Sequence, residues 1–392
     1  MLNFDFLNST RLIFGQDRHK EIGSLLKPHT KKVLLHYGSG SIKRNGIYQA
    51  VIASLQENEV GYVELGGVKP NPRLKLVYEA IELCKREQVD FILAVGGGSV
   101  IDSAKAIAMG VLNKGDVWDY YITRKELKGV LPIATILTIP AAGSESSPNT
   151  VITNEEQELK LGYGNDKLRP LFSVVNPELF ITLPPNQIAN GVADMMSHIM
   201  ERYFTNTLHT DLIDGLCESA LKTIMKQALI LKKDPKNYNA WAEIALAGNV
   251  AHNGLLGLGR MGDWACHAIE HELSAIYDVA HGAGLAVITP AWMKYVYQTN
   301  IAMFMQFAVN VMGVEGSYRE PEALILEGIE RLKDFFIRMG LSVTLTELGI
   351  DDENFELMAR KATGLNRGKE HLIGGLKKLN SEDVLAIYTL AK

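Results

Sequence analysis

Phe91-Ile92-Leu93-Ala94-Val95-Gly96-Gly97-Gly98-Ser99-Val100-Ile101-Asp102 is the stretch on which the fold turns. Its first five residues are all apolar, the pattern of a strand buried on both faces. Three glycines and a serine follow, and the residues from Val100 to about Leu112 read as a helix. Strand, glycine turn and helix in that order form the repeating unit of an α/β fold built on a parallel sheet. The turn also has a chemical meaning. Free N–H groups at a helix start attract phosphate, and glycine lets the phosphate come close.

The same unit recurs on both sides of this stretch. Residues 4–14 read as one or two short strands. Lys32 to Tyr37 is an apolar strand ending in Gly38-Ser39-Gly40-Ser41, with a helix near 47–57. Val60 to Leu65 is a strand, Asn71-Pro72 opens a helix running to Glu87, and Pro132 to Ile139 is a further strand. Ligands on such sheets bind beyond the carboxyl ends of the strands. That rule places Gly38–Ser41, Gly96–Ser99 and Thr138–Ser144 on one rim. Beyond about Asn186 the strand signal disappears. Helices are expected at 187–204, 209–232, 237–256, 263–276, 283–298, 300–312, 321–339, 352–363 and 381–391. The expected architecture is a Rossmann-like α/β domain over 1–184 and an all-helical domain over 185–392, joined near Leu183-Pro184-Pro185.

The totals agree with two domains. The chain has 392 residues, 47% hydrophobic and 22% charged, as an ordinary globular protein has. A net charge of −5 without a basic block argues against a nucleic-acid partner. No run is long and apolar enough to cross a bilayer, and the N-terminus lacks a signal-peptide pattern. The three cysteines, Cys84, Cys217 and Cys266, form no C-x-x-C pair. That suits a reducing, cytoplasmic setting.

The turn Gly38-Ser39-Gly40-Ser41-Ile42-Lys43-Arg44 carries no acid. An NAD site of the usual kind places one near here for the ribose 2′-hydroxyl. Hydroxyls at Ser39 and Ser41, with Lys43 and Arg44 beyond, suit a 2′-phosphate and point to NADP(H). A literal G-x-G-x-x-G occurs at Gly257, Gly259 and Gly262. It follows an expected helix rather than a strand, so it reads as a loop and not as a nucleotide fingerprint.

Asp194 and His198 lie four apart on an expected helix and share a face, as do His267 and His271. His281 follows ten residues after His271. Two helical pairs and a further histidine in one domain point to a metal. Asp and His together suit Fe(II) or Zn(II) in a catalytic rather than a structural site. Spacing alone makes His267 and His271 the obvious chelating pair, and it leaves open which four of the five bind. His252 is a weaker candidate, His36 and His209 are read as ordinary, and Cys266 is expected to be buried and inert.

These residues carry a resemblance. The chain is similar to the group III, iron-containing alcohol dehydrogenases, and within them to the NADPH-dependent butanol dehydrogenase branch. The motifs are Tyr37 to Gly46, Pro70-Asn71-Pro72, Gly96-Gly97-Gly98-Ser99 with Asp102, Gly143-Ser144-Glu145, and both halves of the metal segment. The resemblance implies a dehydroquinate-synthase-like fold with the cofactor in the cleft between the two domains. It implies metal ligands Asp194, His198, His267 and His281, which moves His271 off the metal and beside the substrate. It implies cofactor contacts at Gly38, Ser39, Ser41, Asn71, Gly97, Gly98, Ser99, Asp102, Thr138, Ser144 and Lys160, and a homodimer built in part from the N-terminal strands. Many relatives have Ala-Thr-Gly-Ser-Glu where this chain has Ala141-Ala142-Gly143-Ser144-Glu145. The missing hydroxyl weakens cofactor binding by about 1 kcal/mol at most.

The expected activity is reversible, NADP(H)-dependent reduction of a small aldehyde to an alcohol, with His267 and His271 at the reacting centre. Two rivals remain. A metal- and NAD-dependent lyase or sugar-phosphate dehydrogenase on the same fold needs converging basic residues, and near 250–281 Arg260 stands almost alone. A non-catalytic nucleotide-binding protein would leave the Asp/His set without a task.

Overall fold

The computed structural model describes residues 1–316, 320–365 and 369–392. Its contacts divide into two compact units: Met1–Phe6, Pro184–Pro235 and Gly254–Lys392 form one, and Leu7–Leu183 with Lys236–Asn253 form the other. These are not the consecutive segments 1–184 and 185–392 expected from sequence. The helix at 238–252 belongs to the α/β unit, and the first six residues belong to the helical one. Periodicity marks a helix but does not say which core receives it.

The α/β unit contains the strands β1 (Arg11–Phe14), β2 (Lys32–Gly38), β3 (Gly61–Val68), β4 (Phe91–Gly96), β5 (Ile133–Leu137), β6 (Asn149–Asn154), β7 (Leu159–Gly164) and β8 (Phe172–Val175). Six of them form a sheet in the order β1-β8-β5-β4-β2-β3, with all neighbours parallel. The crossover helices are α1 (Ile22–Leu26), α2 (Ser41–Arg44), α3 (Ile47–Glu57), α4 (Leu74–Arg86), α5 (Gly98–Leu112) and α6 (Trp118–Thr123). Every residue of β4 and β5 is buried, as the unbroken apolar runs required. β6 and β7 form a separate antiparallel pair. Neither this hairpin nor β8 was expected. The hairpin strands hold Asn149, Thr150, Thr153 and Lys160, so apolar patterning does not reveal them. The N-terminal reading was too generous, since strand geometry covers Arg11–Phe14 alone within 4–14.

The remaining helices are α7 (Pro185–Tyr203), α8 (Asp211–Lys233), α9 (Tyr238–His252), α10 (Ala265–Tyr277), α11 (His281–Val296), α12 (Ile301–Asn310), α13 (Pro321–Met339), α14 (Phe355–Ala362) and α15 (Ser381–Ala391). α9 packs in the α/β unit, where Trp241 meets Phe180 edge to face and Asn249 donates to Glu145 Oε1 and Ser146 Oγ. The others form the helical unit. Phe204, Trp292, Phe304 and Phe307 cluster between α7, α11 and α12, and Tyr388 of α15 donates to the Ile269 carbonyl of α10. Among the described residues, no helix is long and apolar enough to cross a membrane.

His36 lies on β2, beside the edge strand β3, and is fully buried. Its Nδ1–H donates to the Leu65 carbonyl, and its Nε2 accepts from Ser103 Oγ. Burial lowers its pKa from 6.5 to about 4, the Leu65 bond opposing. Between pH 6.5 and 4 the unfolded chain therefore binds a proton that the folded chain refuses. Stability from this group is unaffected above that window and falls as the pH drops through it, by about 3 kcal/mol at its lower end. Denaturant titrations of wild type and His36→Gln across this range should show a shallower fall in the variant. Parallel curves would reject the assignment.

Candidate functional site

Asp194, His198, His267, His271 and His281 all lie in the helical unit. α7 brings Asp194, His198 and Glu201 to one face, because residues four and seven apart on a helix stack above one another. α10 supplies His267, Glu270 and His271, and His281 opens α11. Gly282 lets α11 approach α7, since a Cβ there would stand 2.0 Å from the Asn190 carbonyl oxygen. Nitrogens of three imidazoles surround Asp194 Oδ1. His198 Nδ1 lies 3.2 Å away, and the Nε2 atoms of His267 and His281 lie 3.9 Å away. Ligand atoms held at about 2.0–2.2 Å from one ion lie roughly 3–3.6 Å apart, so each of these distances to Asp194 Oδ1 is within a few tenths of an ångström of what a shared cation requires.

The chemistry of these atoms fits a metal. Asp194 Oδ1 and His267 Nε2 are buried and have no hydrogen-bond partner, an arrangement native interiors avoid unless something else is bound. Ligand atoms of Asp194, His267 and His281 lie within 4.8 Å of one another. His198 is not in that tight group, although its ring centroid is 4.5 Å from that of His267. His271 is also outside it and joins Glu270 and His281 in a neighbouring group, with its ring 5.6 Å from His281 and 6.4 Å from His267. Helical spacing alone treated His267 and His271 alike; the fold separates them.

Sequence reasoning missed two buried carboxylates. Glu201 contacts Nδ1 of His267, and Glu270 contacts Nδ1 of His281. Both glutamates are fully buried. Burial disfavours charge on His267, yet Glu201 and then Asp194 outweigh it and raise the imidazole to about 9. The pocket is thus built to attract positive charge. Trp264 covers it, with its ring 5.5 Å from His267 and a left-handed backbone at φ 66°, the kind of local strain that collects at functional sites. A surface-type residue such as Glu gives no sequence signal of such burial.

The other candidates fall outside this cluster. His252 belongs to the α/β unit, where its Nε2 is 3.0 Å from Asn149 Nδ2, which corrects its reading as a possible ligand. His209 is exposed. Burial pushes the Cys266 thiol well up, so it is poorly reactive. The Gly257–Gly262 segment is the loop before α10, and Gly259 accommodates Met1.

In the α/β unit the nucleotide candidates gather on one rim. Gly38 ends β2, Gly96 ends β4, and Thr138 N donates to the Gly96 carbonyl. Gly97 caps α5 without a side chain, so the amides of Gly98 and Ser99 open the helix, and backbone N–H groups so placed suit an anion. Thr153 N donates to the Pro72 carbonyl, and Thr153 pairs with Lys160. That stitches the buried Lys160 to the Asn71-Pro72 turn, where Asn71 is left-handed at φ 53°. Asp102 and Ser144 have inward tasks. Ser144 Oγ and Val151 N donate to the two Asp102 oxygens. Gly143, at φ 62°, leaves room for His252 of α9, whose Cβ would lie 2.7 Å from an added side chain.

Sequence reasoning did not notice Lys105. It is wholly buried on α5, and its three N–H groups are within hydrogen-bond reach of the carbonyls of Ser144, Ser147 and Asn149 and the hydroxyls of Ser144 and Ser147. It therefore holds the Gly143–Asn149 turn together. Lys43 is 3.4 Å from Glu64 on β3 and stands over the Tyr37 and Tyr48 rings. Ser39, Ser41 and Arg44 are exposed.

Residues 9–177 match the family model described as iron-containing alcohol dehydrogenase. Residues 188–391 match the model described as the C-terminal part of the Fe-containing alcohol dehydrogenase family. The chain is 42% identical over 389 residues to NADH-dependent butanol dehydrogenase A of Clostridium acetobutylicum, covering 99% of each. It is 34% identical over 365 residues to the NADPH-dependent aldehyde reductase YqhD of Escherichia coli, covering 92% of this chain and 93% of that one. The crystal structure of NADH-dependent butanol dehydrogenase A from Thermotoga maritima superposes with a TM-score of 0.96 at 43% identity, covering 100% of this chain and 99% of that one. The chain belongs to the iron-containing alcohol dehydrogenase family, oxidoreductases of the alcohol–aldehyde couple whose chemistry rests on a divalent metal and a nicotinamide cofactor.

Proposed function

We propose that the protein catalyses the reversible NADPH-dependent reduction of small aldehydes, butyraldehyde among them, to primary alcohols. Asp194, His198, His267 and His281 would hold the metal. The observation that carries this reading is Asp194 Oδ1 ringed by three imidazole nitrogens at 3.2–3.9 Å. Fe(II), or Zn(II) in its place, supplies Lewis acidity toward the substrate oxygen, and the nicotinamide supplies or accepts the hydride. The chain contributes binding, orientation and a proton. His271, half-buried beside His281, would pass a proton to or from the substrate oxygen or water, as an imidazole can near neutral pH.

The names of the relatives point both ways on the nucleotide: NADH for the two butanol dehydrogenases, NADPH for the aldehyde reductase. The preference for NADPH rests on the 38–44 turn. It has no carboxylate, and the acid on the neighbouring strand, Glu64, is engaged by Tyr37 Oη–H and Lys43. Ser39, Ser41 and Arg44 remain exposed to receive a 2′-phosphate. Ser39→Asp should shift the ratio of kcat/KM values from NADPH toward NADH on the order of 30-fold, the cost of replacing a hydrogen-bond donor by a like charge. An unchanged ratio would place 2′-phosphate recognition elsewhere.

The lyase reading loses its one basic residue, because Arg260 is buried and bonded to Asp214 and to the Thr210 carbonyl. The exposed Phe4 and Phe6 offer apolar surface for the proposed homodimer, and a cytoplasmic location accompanies three free, buried cysteines. Metal analysis of freshly purified protein, paired with NADPH and NADH assays over a series of aldehydes, tests the whole reading. Turnover of phosphorylated substrates instead would overturn it, as would absence of metal-dependent NADPH oxidation.

A further inference from the structure

We propose that Glu201 and Glu270 are positioning residues of the metal centre, and that Glu201 dictates which ring nitrogen of His267 is open to the metal. The proposal rests on the metal reading given above. The three helices interlock in sequence. α7 carries Asp194 and the carboxylate behind His267 of α10. α10 in turn carries the carboxylate behind His281 of α11. A carboxylate only accepts hydrogen bonds. Each Nδ1 facing one therefore keeps its hydrogen, and in the neutral ring that a metal needs the lone pair is then on Nε2, toward Asp194. Carboxylates in this position behind metal-binding histidines fix tautomer and ring orientation and raise ligand basicity.

The two glutamates differ in their second oxygen. Glu201 Oε1 accepts from the backbone N–H of His267 at 3.2 Å, a donor that cannot turn round. Glu270 Oε1 accepts from Ser274 Oγ, and that hydroxyl has a second acceptor, the Val279 carbonyl, at 3.1 Å. A glutamine at 270 can thus accept from His281 Nδ1–H and donate to Ser274 Oγ, while the hydroxyl proton turns to Val279. The His281 tautomer survives. A glutamine at 201 has one acceptor for two donors. Giving its oxygen to the backbone amide aims its NH2 at His267 Nδ1. That ring must then carry its hydrogen on Nε2, the atom the metal needs.

The test compares Glu201→Gln with Glu270→Gln. Both are isosteric and both remove one negative charge, so a purely structural or purely electrostatic role predicts similar losses. Zn(II) affinity is measured by chelator competition on the full chain. Apoprotein melting confirms folding, and the visible spectrum of Co(II)-loaded protein reports ligand geometry. The expected result is a loss on the order of 100-fold for Glu201→Gln and less than about tenfold for Glu270→Gln, with both alanine variants strongly weakened. Equal losses in the two glutamine variants, or a Glu201→Gln protein that binds as wild type does, would overturn the proposal. A wild-type chain that binds no Zn(II) or Fe(II) would overturn the metal reading and this proposal with it. Should Glu201→Gln fail to fold, Glu201→Gln combined with delivery of metal before refolding gives the same comparison of affinities. An affinity within tenfold of wild type then counts against the proposal.

Discussion

His267→Ala is expected to lose bound metal and turnover together. The change removes an Nε2 that has no hydrogen-bond partner and lies 3.9 Å from Asp194 Oδ1. It also leaves Glu201 buried without the imidazole it faces. An unpaired buried carboxylate is costly, and the remaining groups hold a divalent ion far less well. Lewis-acid stabilisation of the reacting oxygen is worth several kcal/mol, so kcat/KM with butyraldehyde and NADPH should fall by about a thousandfold or more. Elemental analysis of the purified variant, run beside the assay, checks both halves. Full activity in metal-free His267→Ala would refute the metal reading. Loss of activity with full metal content would move His267 from the metal to the substrate.

Lys105→Met is expected to produce the largest loss of stability. The side chain is wholly buried, and its ammonium reaches five acceptors in the 144–149 turn at 2.7–3.3 Å. Burial pushes its pKa down to about 8, while Asp102 and Glu145 oppose that. The set of acceptors favours the charged form. Methionine matches the volume and supplies no donor. Orphaned buried acceptors cost about 1–3 kcal/mol each before relaxation, and breaking a buried charged network costs about 3–5 kcal/mol in all. Denaturant unfolding should show a loss of that order. Cofactor affinity should fall as well, because Ser144 is tied to both Lys105 and Asp102. A variant within about 1 kcal/mol of wild type would show that the turn keeps its shape without the ammonium.

Much of this was legible from the chain. β2, β4 and β5 stood out because strands buried on both faces must be nearly all apolar. α3 and α13 were placed at their observed bounds of Ile47–Glu57 and Pro321–Met339, since helical periodicity over several turns is a strong signal. The last helix was also found, and it is capped by Asn380 paired with Asp383. The β6–β7 hairpin was not legible, because its polar residues are buried by partners far away in sequence, such as Asp102 and Pro72.

The sequence by itself determined an α/β unit with phosphate-accepting glycine turns and a helical region carrying one acid and several histidines at helical spacing. Local periodicity is sufficient for those features, since it acts over a few residues. Tertiary structure alone decided the rest. It assigned α9 to the α/β unit and His252 with it, and it gathered ligand atoms of Asp194, His267 and His281 within 4.8 Å of one another. It placed Glu201 and Glu270 behind the two imidazoles and made Lys105 the centre of the 144–149 turn. Each of these depends on which helix faces meet across a packed core, and residues that meet there are tens of positions apart along the chain.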